Sequence, residues 1–334
     1  CRFASKIPLN PIGCGFEGIL YIFSFCSFNE RVSTFNKEHV STLKGVMAIS
    51  IVAFHLFYQT DDWLFMFSSW GAPIVSMFYF ISGYGLALNY RAKGNEYLSH
   101  FFKHRIWESL ILPFLLVWVV NRIISGNISM SLLDELIKLL MYGETTLPYS
   151  WYVFSILLFY ILFYMIASKK NVVIISFLCV FLYIALTVSL SYERCWYISA
   201  LAFPLGIFYC KYEERICALW NVPVKYYVTV PLCLLLTAAC VISKNEFCYL
   251  FAYIFIPIVI VCLCAKIQIY NRNIQWISNV SYEIYLCQGV SMILLRGNYF
   301  FVKSDFLYII ATFVLTLFMA YCIKKTCILL VNKH

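Results

Sequence analysis

The sequence predicts an all-α, polytopic membrane helix bundle of about ten transmembrane helices, with both termini on the cytoplasmic side. Three observations predict it. The 334 residues are 63% hydrophobic and only 12% charged, against roughly 45–50% apolar and about 25% charged in soluble domains. Ten stretches reach or approach the roughly 20 apolar residues that a spanning helix needs. Lysine and arginine are shared very unequally between alternate loops, as the positive-inside rule requires.

The ten stretches lie at 43–60, 71–89, 106–123, 150–167, 171–190, 196–210, 226–243, 247–265, 276–295 and 305–323. Those at 43–60 and 196–210 are short or polar-bordered. Threading them in order puts nineteen of the 25 basic residues on one side, including Arg2, Lys6, Arg31, Lys44, Arg91, Lys103, Arg105, Lys324 and Lys333. The opposite side keeps Arg122, Lys138, Arg194, Lys244, Arg296 and Lys303. The excess marks the cytoplasmic face.

Gly18–Phe28 is apolar but too short to span, so it is expected to lie along the interface. In the outward loop near 124–149, Leu132, Leu133, Leu136, Ile137, Leu139 and Leu140 surround Asp134 and Glu135. That spacing predicts a short amphipathic helix on the outer surface. No internal repeat or separate soluble domain is evident. The chain therefore divides into an N-terminal cytoplasmic or interfacial segment, 1–35, and a transmembrane domain, 36–334. It opens on Cys1 and carries no secretory signal, so its start is expected to be incomplete.

The net charge of +9 does not mark a nucleic-acid binder, because the cations fall in short loops rather than on one face. Most of the 15 cysteines lie in apolar runs, where Cys acts as a small hydrophobe. With no Cys-x-x-Cys and no His/Cys ligand spacing, no metal is expected.

Ionisable groups within spans are costly and mark candidate sites. His55 follows Lys44 by eleven residues, which on a helix is the same face within roughly 20° and an axial rise of about 16 Å. Lys44 at the inner mouth and His55 near the bilayer middle would then line one groove, suited to chemistry on an anionic cytoplasmic cofactor. His55 equally fits a structural hydrogen bond to a neighbouring helix. Glu283 lies about 10 Å inside the ninth span and needs a partner, with His55 or a basic residue the evident choices. An ion pair that only fixes packing fits it as well. Lys103, His104 and Arg105 stand before the third span, where basic residues are expected by topology and where they would also clamp phosphate. Glu108 follows one turn on and could pair with Arg105 or His104. Gly83, Gly85 and Ser82 suit close helix approach, and Pro204 a kinked sixth span.

These residues, in order, resemble the acyltransferase 3 family of integral membrane acyltransferases. Lys44…His55 is similar to its basic-x10-His signature. FYFISGYGL at 78–86, KHRI at 103–106, Ser150-Trp151-Tyr152, FPLGI at 203–207 and SYEIYL at 281–286 follow, so the resemblance runs from about Asn36 to Lys325. It implies O-acetyl transfer from cytoplasmic acetyl-CoA, the acyl donor and co-substrate, to a hydroxyl of a cell-surface polysaccharide or sugar. It implies a multi-pass protein of a cell membrane, the bacterial cytoplasmic membrane above all. His55 would be the general base, as a group with an ordinary pKa near 6.5 can be at neutral pH. Glu283 would orient or polarise its imidazole, and Lys44, Lys103 and Arg105 would hold the CoA phosphates. Gln59, Thr60, Asp61 and Asp62 near His55 fit a site open to the outer water.

Two departures count. Lys44 replaces the arginine of many members and loses bidentate phosphate geometry. Gln288 stands where members often carry histidine, so it is assigned no catalysis. The competing reading is a proton-coupled transporter or flippase, with His55 and Glu283 as a relay. That reading favours an inverted repeat and paired broken helices.

Overall fold

The computed structural model describes residues 26–28, 35, 37–60, 64–126, 131–297 and 300–332. The expectations for Arg2, Lys6, Arg31, Asp61, Asp62, Lys333 and most of 1–35 lie outside the described residues.

Each of the ten predicted stretches overlaps a helix, the ninth being divided between two. In chain order they begin with α1 (Lys37–Phe57), α2 (Gly71–Lys93) and a short α3 (Asn95–Ser99). A π-helical stretch (Phe102–Ile111) then runs into α4 (Leu112–Ser125). The surface helix α5 (Leu132–Tyr142) is followed by α6 (Trp151–Ile166), α7 (Val172–Ser189) and α8 (Ala202–Trp220). The chain closes with α9 (Pro223–Ile242), α10 (Glu246–Lys266), the small α11 (Arg272–Ser278), α12 (Ser281–Leu295) and α13 (Asp305–Val331). Among the described residues, seven helical stretches are long and apolar enough to cross a membrane on their own. Helix α6 is apolar but shorter, and α8 and α12 complete the ten. The chain is a multi-pass membrane protein. Two three-residue strands, β1 (Cys26–Phe28) and β2 (Ile267–Ile269), pair antiparallel beside the bundle.

Helix α2 is the centre. Of its most apolar window 61% is buried inside the protein, against 11% for α9, which faces lipid nearly all round. Apolar burial drives helices together weakly in lipid, so small residues and interhelical hydrogen bonds must hold the centre. A Cβ on Gly83 would stand 2.1 Å from the carbonyl oxygen of Phe203, and one on Gly206 2.1 Å from that of Phe80. The glycines of FISGYG and FPLG are thus two sides of one crossing between α2 and α8, while Gly85 has open space around it. Pro257 inside α10 removes the donor that would reach the Tyr253 carbonyl. Ser76 of α2 donates its hydroxyl to that carbonyl instead.

The entry to α1 is tied to this centre. Buried Glu213 of α8 accepts from the Phe35 amide (3.2 Å) and the Tyr84 hydroxyl (3.0 Å), and pairs with Arg91 at 3.4 Å.

Three helix limits differ from expectation, and each moves a candidate residue. Helix α1 begins at Lys37 and ends at Phe57, so His55 occupies its last turn. The ninth span is interrupted at Asn279–Val280, so Glu283 falls in the first turn of α12 rather than deep within a longer helix. Helix α8 starts at Ala202 and carries its charged residues on to Trp220, because a turn over Arg194–Trp196 precedes it.

Candidate active site

The inner half of the site is a cavity of about 140 Å³ between α1, α2, the π-helical stretch, α6 and α12. Lys44, Arg105, Ser109 and Ser281 supply its polar wall, and Tyr152, Tyr282 and Tyr285 much of the rest. Proline at 113 takes away an N–H near the end of the π-helical turn. There Tyr282 of α12 donates to the Leu110 carbonyl at 2.9 Å, tying α12 to the stretch that carries Arg105. Gly45 makes the neighbouring approach possible, since a Cβ there would lie 2.2 Å from the Ile274 carbonyl oxygen of α11.

Among the described residues neither Lys44 nor Arg105 pairs with a carboxylate. Arg105 donates to the Tyr97 hydroxyl at 3.2 Å. Glu108, one turn away, is taken by His104 Nδ1 at 2.6 Å. Two cations therefore converge on one cavity with their charge uncompensated, which suits a phosphate.

The outer half holds His55. One cavity of about 120 Å³ is lined by His55, Phe54, Val75, Trp151, Cys195 and Tyr285. A second, of about 520 Å³, is lined by His55 together with the loop residues Glu144, Thr145, Tyr149, Glu193 and Cys195. Tyr285 belongs to both the Lys44 cavity and the smaller His55 cavity, so a single side chain separates the inner and outer halves. The imidazole stacks on Tyr149, with centroids 3.6 Å apart and planes 24° from parallel. Among the described residues no group is hydrogen-bonded to its ring nitrogens.

Tyr149 is held in an unusual backbone state to do this. Its φ is +63°, a region where a bulky residue is an outlier and is kept only when its surroundings impose it. The Tyr285 hydroxyl donates to the Tyr149 carbonyl. Gly289 leaves room for Pro148, whose Cβ would lie 2.5 Å from an added methyl. Below it, Gln59 donates from Nε2 to Met292 Sδ at 3.6 Å, and its Oε1 accepts from the Tyr308 hydroxyl. Arg296 donates to the Gln59 carbonyl at 2.6 Å and pairs with Asp305.

The structure thus brings together Lys44 and Arg105, and separately gathers Tyr149, Gln59 and Cys195 around His55. It does not bring Glu283 to His55. The Glu283 carboxylate, 2% exposed, pairs with Lys324 of α13 at 3.0 Å. Helix α12 starts only two residues before Glu283, and the pair with Lys324 ties α12 to α13. Lys103 is exposed and lines neither half of the site, which corrects its grouping with Arg105. Tyr149, Ser109, Cys195 and Lys324 beside these groups carried no signal in the sequence, whereas Ser281, Tyr282 and Tyr285 of SYEIYL were legible as polar groups near Glu283. Gln288 is fully buried, with neither amide atom hydrogen-bonded.

Among the described residues, a histidine with no hydrogen bond to its ring nitrogens thus lies on one side of Tyr285, and two cations without carboxylate partners lie on the other. The chain belongs to the acyltransferase 3 family, whose model, described as an acyltransferase domain, matches residues 39–325. It is a membrane acyltransferase. No curated protein and no solved structure matches the chain.

Proposed function

We propose that the protein transfers an acetyl group from cytoplasmic acetyl-CoA to a hydroxyl of a cell-surface polysaccharide or sugar. The observation that carries this reading is the disposition of charge and base. Lys44 and Arg105 are free to hold the CoA phosphates at the inner mouth, and the free imidazole of His55 lies beyond Tyr285 on the outer side.

The acyl thioester would extend past Tyr152 and Tyr285 toward His55, while the acceptor enters the outer cavity. His55 takes the proton as the acceptor oxygen attacks the thioester carbonyl. The new C–O bond forms, the C–S bond breaks, and the proton passes to the departing CoA sulfur. Tyr149 and Trp151 fix the ring and exclude water, so that hydroxyl attack prevails over hydrolysis. A positioned general base contributes roughly 10²–10⁴-fold.

The test is transfer of radiolabelled acetyl-CoA into the glycan fraction of membranes expressing the chain. His55→Ala is expected to lose about 10³-fold in transfer with insertion and expression unchanged. Label entering the glycan at the wild-type rate in that variant would sink the mechanism. Donor and acceptor specificity are tested by replacing acetyl-CoA with longer acyl-CoAs and by digesting the labelled glycan.

A further inference from the structure

Beneath the surface helix α5 lies a cavity that the reaction above does not use. It measures about 300 Å³ and is walled by Phe114, Leu115, Trp118, Leu136, Leu139 and Phe154. That size falls at the lower end of ligand pockets, roughly 300–1,000 Å³. Its one carboxylate within the apolar wall is already occupied, since Glu135 accepts from Trp118 Nε1 at 3.0 Å and pairs with Arg122 at 3.5 Å. Ser150 also lines it, is 1% exposed, and has no partner for its hydroxyl.

Two features relate this cavity to its surroundings. The outer side of α5 exposes Leu133, Ile137, Leu140 and Met141, which suits a helix lying against lipid rather than water. Glu144 and Thr145 form its far wall and are at the same time walls of the 520 Å³ cavity that contains His55. An apolar cavity beneath a helix with an apolar outer side thus shares a wall with the polar cavity that contains His55. A water-soluble sugar would use only the second of these, whereas an amphiphile would use both.

We propose that the acceptor is an amphiphile: a hydroxylated head group carried on a long hydrocarbon chain. The chain enters from the outer leaflet and occupies the α4–α5–α6 cavity, and the head crosses Glu144 and Thr145 to reach His55. The bond changes are those given above, with the attacking oxygen supplied by this head group. The inference rests on the acyltransferase reading of His55 and names the class of acceptor for it.

The test uses the full chain in phosphatidylcholine nanodiscs and dodecyl β-glucoside bearing a terminal diazirine. On irradiation the adduct is expected within 114–118, 132–139 or at Phe154. It should fall at least tenfold in Leu136→Trp, and likewise in Leu115→Trp should the first variant not fold. Methyl β-glucoside should not compete. In the same nanodiscs Leu136→Trp should raise the KM for dodecyl β-glucoside as acetyl acceptor about tenfold and leave that for acetyl-CoA unchanged. Adducts elsewhere, or equal labelling of these segments by a diazirine phosphatidylcholine, would overturn the inference and make the cavity a seat for bulk lipid. Labelling is read without turnover, so its failure is distinct from failure of the acyltransferase reading, which shows as no His55-dependent transfer.

Discussion

The two ends of the site differ in how their charges are held. At the outer end Arg122 pairs with Glu135, Arg194 with Glu246 and Arg296 with Asp305. At the inner end Lys44 and Arg105 converge on one cavity, and the nearest acid on their stretch, Glu108, is occupied by His104. A cation kept away from every carboxylate in a poorly solvated site is costly unless an anion arrives. In the proposed reaction the inner end would take the charged donor and the outer end the hydroxylated acceptor.

The sharpest way to break this contrast is to neutralise the inner end. Arg105→Gln removes a charge-assisted contact, and about 1.5–3 kcal/mol for such a bond raises the KM for acyl-CoA by about 10- to 100-fold. Lys44→Gln should act in the same sense and less strongly, because a lysine offers no bidentate geometry. Ser109→Glu, which supplies the missing carboxylate between the two cations, should mimic the loss without removing either. Initial rates over a range of acyl-CoA and salt concentrations check this. An unchanged KM in Arg105→Gln would remove the phosphate role from this cavity.

Much of this arrangement was legible in the sequence, and what was not has physical reasons. Hydropathy alone located ten helices, since a bilayer demands long apolar segments whatever they pack against. The pairing of Lys44 with the base eleven residues on was legible because both sit on one helix. Helix ends were less so: no local signal announced that α1 would stop at Phe57 or that the chain would turn at Asn279–Val280. Tyr149 was invisible because its position depends on Tyr285 and Gly289 from another helix. The partner of Glu283 lies 41 residues further along the chain, and such a choice is made by helix packing rather than by spacing.

A smaller effect bears on that last pair. Glu283 sits in the first turn of α12, where the helix dipole favours a carboxylate, and Lys324, 40% exposed, supplies the opposite charge. Glu283→Gln should lower the melting temperature by a few degrees, roughly what 1 kcal/mol does in a chain of this size. The pH profile of kcat should stay where it is, because Glu283 pairs with Lys324 and not with His55. A shifted profile would restore the orienting role to Glu283 and blur the division between a structural inner tie and a chemical outer base.

The smallest effect concerns the one thiol that shares both cavities with His55. Cys195 lies in the turn before α8, and its Sγ approaches Glu193 Oε2 at 3.7 Å. Burial first, and the Glu193 carboxylate after it, push the thiol up to about 12. At pH 7–8 such a group stays protonated, and the thiol is a far weaker nucleophile than the thiolate. An acyl-cysteine relay is thereby disfavoured, and in the proposed reaction the acceptor oxygen would attack the thioester directly. Cys195→Ser should keep the transfer rate within about twofold, and acid quench during turnover should trap no label on the protein. Alkylation of Cys195 should be slow at pH 8 and should climb about tenfold per pH unit with the thiolate fraction, with Glu193→Gln moving the curve to lower pH. A trapped acyl-protein lost in Cys195→Ser would make the outer end a covalent station and end its electrical quiet.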